Sequence, residues 1–125
     1  MRLLADSHVL VFWLENPAQL VPAARAAITS GHNQVFFSAA SVWELGLKQA
    51  KGKLRMPAGW VDLLRGDGFT ELPLTVAHAE ACHDLPLLHG DPFDRVLLAQ
   101  ARSEGAVFVT RDEILHRYGI PTLAA

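Results

Sequence analysis

Three short apolar runs, RLLAD at residues 2–6, QVFFS at 34–38 and AVFVT at 106–110, stand between segments patterned as helices. Brief strand-like runs alternating with helical stretches are the signature of an α/β domain, in which crossing helices leave the strands mainly parallel. This alternation constrains the fold more than any other feature. The remaining segments follow the same plan. Helices are expected from about His8 to Glu15, over 21–31 with Gly31 as the stop, and over 39–52, where Val42, Leu45, Leu47 and Ala50 supply most of the buried side. A short helix is expected over Trp60–Arg65, a short strand or extended piece over 69–74 and a helix over 76–85. One further helix runs to about Glu104, and a last short helix over 112–118 precedes a small strand near Thr122.

The bulk numbers set limits on this plan. With 125 residues the chain has room for one domain, spanning 1–125, and not for two. Hydrophobic residues at 50% and charged ones at 19% describe a folded globular protein. The net charge of −2 and pI of about 6.3 lack the basic excess usual in nucleic-acid binders. Cys82 is the only cysteine, which excludes an intramolecular disulfide and suits a reducing cytoplasm. The N-terminal stretch resembles a signal peptide only superficially, because Asp6 and His8 interrupt its apolar run and no small-residue cleavage site follows. The longest apolar run, Val9–Leu14, is far short of a membrane span, so a soluble protein with no membrane partner is expected.

The stretch HGDPFDRVLLAQA, residues 89–101, opens an apolar helix with two aspartates three positions apart. Asp91 suits an N-cap, Pro92 the first helical position, and Asp94 the positive end of the helix dipole. Two other aspartates bear on its role: Asp6 is expected to end the first strand, and Asp112 follows the 106–110 strand. Ligands of open parallel sheets bind at the carboxyl ends of the strands, so Asp6 and Asp112 belong on that edge, and Asp94 joins them if its helix packs in the usual way. Glu44, between Trp43 and Leu45, is a fourth candidate. Each has a purely structural reading as well: a dipole acid at Asp94, an N-cap at Asp112, and an i,i+4 pair between Glu44 and Lys48. Asp6 resists such a reading best, since a carboxylate ending a buried strand is costly unless compensated. Four converging acids repel one another, and a divalent cation resolves the conflict; oxygen-only ligation suits Mg²⁺ or Mn²⁺ rather than zinc. The histidines (His8, His32, His78, His83, His89 and His116) are scattered without metal-ligand spacing, and no Gly-rich phosphate loop is present.

The segments LLADSHVLVFWL, SAASVWELGLKQAKGKL, LPLTVAHA, LPLLHGDPFDRVLLAQA and VTRD, in this order, resemble the PIN-domain ribonucleases, specifically the VapC-type toxins of bacterial type II toxin–antitoxin pairs. The resemblance implies a three-layer α/β/α PIN-like fold with a mainly parallel central sheet. It places the family's catalytic and metal-site acids on Asp6, Glu44, Asp94 and Asp112, and leaves Asp91 as the cap. It also implies a cognate small antitoxin of VapB type covering the site, with a basic side chain reaching the carboxylates in place of metal, and a homodimer or a larger complex with the antitoxin. Many relatives carry Thr where this chain has Ser7, whose hydroxyl is expected to contact a carboxylate or phosphate.

The expected reaction is Mg²⁺-dependent endonucleolytic hydrolysis of RNA phosphodiester bonds. The acidic pI sits oddly with an RNA substrate, yet the charge is uneven: KQAKGKLR, residues 48–55, holds four positive charges and no acid. Lys48 and Lys51 are expected to reach toward the metal edge, and Arg95 and Arg111 each adjoin a proposed ligand where they would neutralise phosphates. Phe12 and Trp13 belong to a docking groove or a dimer contact, or else to the core. The competing readings are a non-catalytic PIN-like module that binds RNA or protein, which has no need of four acids, and a phosphoacceptor receiver domain. The latter requires paired acids after the first strand and a lysine after a late one, which ADSH and TRD do not supply.

Overall fold

In the computed structural model, which describes residues 1–88 and 90–125, five strands form one parallel sheet. The strands are β1 (Arg2–Ala5), β2 (Gln34–Ser38), β3 (Thr70–Leu72), β4 (Val107–Thr110) and β5 (Thr122–Ala124), in the spatial order β3-β2-β1-β4-β5. The helices are α1 (Ser7–Glu15), α2 (Pro22–Thr29), α3 (Ala39–Ala50), α4 (Trp60–Gly66), α5 (Val76–Cys82) and α6 (Pro92–Glu104). His89 lies outside the described residues.

Alternation along the strands divides the core into two layers of side chains. Leu3, Ala5, Val35, Phe37 and Val109 face α1, α2 and α4, meeting Val9, Leu10, Ala24, Ile28, Trp60 and Leu64. Leu4, Phe36, Leu72 and Phe108 face the opposite way onto Leu97 and Leu98 of α6 and Leu115. Both faces of the sheet are therefore covered by helices, and the fold is the expected three-layer α/β/α sandwich.

The expected elements appear with shifted edges. Asp6 does not end β1; it follows Ala5 as the N-cap of α1, with its side chain accepting from the Ser7 N–H. Glu113–Tyr118 is a 3₁₀ helix, and a 3₁₀ turn at Pro17–Gln19 had no signal of its own. α5 ends at Cys82, and α3 ends at Ala50. The buried side of α3 differs from the expectation: Ala40, Ser41, Glu44 and Leu45 face inward, while Leu47 and Ala50 are exposed. The small Ala40 and Ser41 let this face approach its neighbours closely, and the Ser7 hydroxyl donates to Ser41 Oγ at 2.9 Å across the α1–α3 contact.

Chain order opens a crevice at one edge of the sheet. From β1 the chain passes to β2 and β3 on one side, then returns to β4 on the other side of β1. The β1/β4 boundary is therefore a topological switch point, where the connections leaving two adjacent strands diverge and open a crevice beyond their carboxyl ends.

Candidate active site

Asp6 stands at this boundary. Its backbone N–H donates to Val109 O at 2.9 Å, tying the end of β1 to β4. Its carboxylate accepts from the Ser7 N–H at 2.7 Å and from the Thr110 hydroxyl at 2.7 Å, and Asp6 is only 2% exposed. Burial pushes the Asp6 pKa above its ordinary value of 3.8; the Thr110 hydroxyl, His8 and the Ser7 N–H oppose the shift, while the Glu44 charge adds to it. Thr110 joins two of the acids, because its Oγ1 also accepts from the Asp112 N–H at 3.1 Å. Asp112 caps the 3₁₀ helix that follows, accepting from the Ile114 N–H at 3.0 Å.

Asp94 reaches the same edge from α6. Asp91 Oδ1 accepts from the N–H groups of Phe93 at 2.8 Å and Asp94 at 3.2 Å, so Asp91 is the cap and Asp94 occupies the first turn behind it. Asp6, Asp94 and Asp112 together line a cavity of about 350 Å³ with His8, Phe12 and Arg111.

Glu44 is placed differently. It is buried in α3, with Oε2 accepting from Lys48 Nζ at 2.9 Å and Oε1 buried without a hydrogen-bond partner among the described residues. It lines a second cavity of about 270 Å³ with Lys48, Lys51, Lys53 and the start of α6 at Asp91–Phe93. The i,i+4 pair of Glu44 with Lys48 forms, but with a buried acid it is not a solvated surface contact.

The basic and hydroxyl residues separate by location. Arg111 lies at the three-aspartate cavity, its guanidinium 4.7 Å from the centre of the Phe12 ring. Lys51 lines the second cavity. Lys48 is engaged by Glu44, and Ser7 is buried against Ser41. Arg95 is committed elsewhere: it donates to the backbone carbonyls of Pro86 at 2.7 Å and of Cys82 and Leu85 at 3.2 Å, holding the segment that follows α5. Phe12 and Trp13 are half-buried against the core, with Trp13 Nε1 donating to Asp67. Two cavity-lining residues, His8 and Lys53, and the bridging Thr110 were not singled out as site residues from the sequence. His8 had a signal in its position two residues after Asp6, whereas the Thr110 bridge spans 104 positions and had none.

A family model of the PIN domain matches residues 3–121. The chain belongs to the PIN-domain family. Ribonuclease VapC22 of Mycobacterium tuberculosis is 32% identical over 124 residues, covering 94% of each chain, which places this PIN domain among the VapC-type members. Two solved structures share its fold across 99% of the chain and 98% of theirs. They are VapBC2 from Rickettsia felis bound to a promoter DNA fragment (TM-score 0.77, 15% identity) and DNA-bound VapBC from Salmonella typhimurium (TM-score 0.71, 18% identity).

The donors of this PIN domain fit a hard divalent cation by type. Three carboxylates share one cavity, and the buried Glu44 Oε1 is an acceptor awaiting a partner. Among the described residues no three such groups form a ready-made metal site.

Proposed function

We propose that this PIN domain is a Mg²⁺-dependent endoribonuclease, with Mn²⁺ as an alternative ion, acting as the toxin of a type II toxin–antitoxin pair. The observation that carries the reading is the meeting of Asp6, Asp94 and Asp112 in one cavity at the sheet's switch point. Similarity to a protein named as a ribonuclease supports the activity, and the likeness to VapBC structures supports a small VapB-type antitoxin as partner.

Asp6 and Asp94 would hold the ion most directly, with Asp112 and Glu44 completing the set through waters or a second ion. The bound cation would acidify a water and polarise the phosphoryl oxygen. The protein's part is to hold the acids in place. The Ser7 N–H and Thr110 hydroxyl fix both oxygens of Asp6, and the Asp91 cap fixes the turn that carries Asp94. Asp112 or Glu44 would orient the attacking water. Lys51 and Lys53 would carry RNA phosphates leading to the site, offsetting the acidic balance of the whole chain. A homodimer would join two such strips into one groove. Among the described residues no helix is long and apolar enough to cross a membrane. Membership among VapC-type proteins is the support for a cytoplasmic location.

The test is cleavage of a mixed cellular RNA pool by the purified chain with Mg²⁺, with EDTA, and as Asp94→Asn. Cleavage that needs Mg²⁺ and Asp94 is the expected result, and the fragment ends would begin to define the target. RNA binding without cleavage, unchanged in Asp94→Asn, would instead support a non-catalytic binding module.

A further inference from the structure

Among the described residues, the three-aspartate cavity holds a guanidinium that pairs with no acid. Arg111 lines it beside Asp6, Asp94 and Asp112, yet among the described residues the ion pairs involve Arg2, Lys48, Arg65 and His78, and none involves Arg111. Its partner is an aromatic face instead. Phe12 packs against the core and carries the Arg111 guanidinium 4.7 Å from its ring centre. Contact with a π face fixes the position of the group while consuming none of its five N–H donors. His8, exposed in the first turn of α1, lines the same cavity and offers an imidazole N–H.

A cavity lined by three carboxylates repels a polyanion. Cations held by the acids can offset that repulsion at the oxygens they touch, but a phosphate at the mouth needs its own donors, and Arg111 is the one Arg or Lys among the described lining residues. Arginine matches two phosphate oxygens with its planar fork, and a ring beneath the fork reduces the freedom lost on binding.

We infer that Phe12, Arg111 and His8 form a phosphate clamp for single-stranded RNA at the mouth of the carboxylate cavity. Arg111 binds the phosphate through its fork, His8 adds one N–H, and Phe12 is a positioning residue that acts through Arg111. The inference rests on the ribonuclease reading and adds to it a defined subsite and two residues, His8 and Phe12, that the acids alone do not implicate.

The test is binding of a short fluorescein-labelled, mixed-sequence single-stranded RNA, followed by anisotropy across a range of KCl concentrations. All variants are made in the Asp94→Asn chain so that the probe survives. Arg111→Met is expected to weaken binding about tenfold and to lower the slope of log K against log salt by about 0.7, the loss of one phosphate contact on a single strand. Phe12→Leu keeps an apolar side chain but removes the ring, and is expected to weaken binding about two- to fivefold. Phe12→Trp restores a π face and should bind as Phe12 does, and His8→Ala should bind more weakly. A structural role for Phe12 alone would not make affinity follow the aromatic face. An unchanged salt slope in Arg111→Met, or equal affinity in Phe12→Leu and Phe12→Trp, overturns the clamp. If wild-type protein nevertheless cleaves RNA, the ribonuclease reading survives that failure; absence of both binding and cleavage in the wild type overturns the two together.

Discussion

Lysine 48 offers the sharpest test of how the buried acid Glu44 is tolerated. Its ammonium lies 2.9 Å from Glu44 Oε2, while Glu44 Oε1 is buried with no partner among the described residues. The Glu44 side chain is 4% exposed and that of Lys48 36%, so the pair straddles the surface. Removing one partner of a fully buried pair costs about 3–5 kcal/mol, because the other charge is left uncompensated. Solvent reaching Lys48 screens part of that interaction, so Lys48→Met is expected to lose about 1–3 kcal/mol. In urea, with EDTA to exclude stray cations, this is a fall in the unfolding midpoint of roughly 0.5–2 M. The double substitution Glu44→Met/Lys48→Met removes both charges and should recover most of the loss, since an apolar pair of similar volume substitutes for a buried ion pair at little cost. Two outcomes would refute the reasoning: a single variant within about 0.5 kcal/mol of wild type, which is the scatter of ordinary surface substitutions, or a double variant no more stable than the single one.

Two further predictions follow from the same geometry. Burial raises the folded-state pKa of Asp6, so the acid's contribution to stability is complete below its ordinary value of 3.8 and is lost as pH climbs through the raised folded value. Asp6→Asn in EDTA should therefore gain stability relative to wild type across that window and keep the gain at neutral pH; thermal unfolding at a series of pH values checks this, and a gap that shrinks as pH rises contradicts it. Arg95→Met should lose about 1.5–3 kcal/mol in chemical unfolding, since it strips a charged donor from three carbonyls. It should leave the salt slope of RNA binding unchanged, unlike Arg111→Met.

Much of the architecture was legible in the chain because the physics involved is local. QVFFS is β2 to the residue, since a continuous apolar run between polar ends suits a strand covered on both faces. The Asp91 cap was equally legible, because capping is settled within three positions of chain. The placement of Asp6 and Asp112 on one edge followed from parallel topology alone. Capping does not remove Asp112 from the cavity: its carboxylate accepts from the Ile114 N–H at the start of the 3₁₀ helix while lining it.

The amino-acid sequence by itself determined the strand-and-helix order, the parallel sheet and the identity of the acids, each of which depends on neighbours along the chain or on a single topological rule. Tertiary structure decided how those residues are divided. It joined Asp6 to Asp112 through Thr110, set Glu44 in a second cavity with Lys48, and turned Arg95 away to carbonyls while leaving Arg111 over Phe12. These contacts join segments far apart in the chain or depend on the direction a side chain takes from its helix. Only packing fixes such geometry, because hydrogen-bond and ion-pair energies depend on distances that no local pattern encodes.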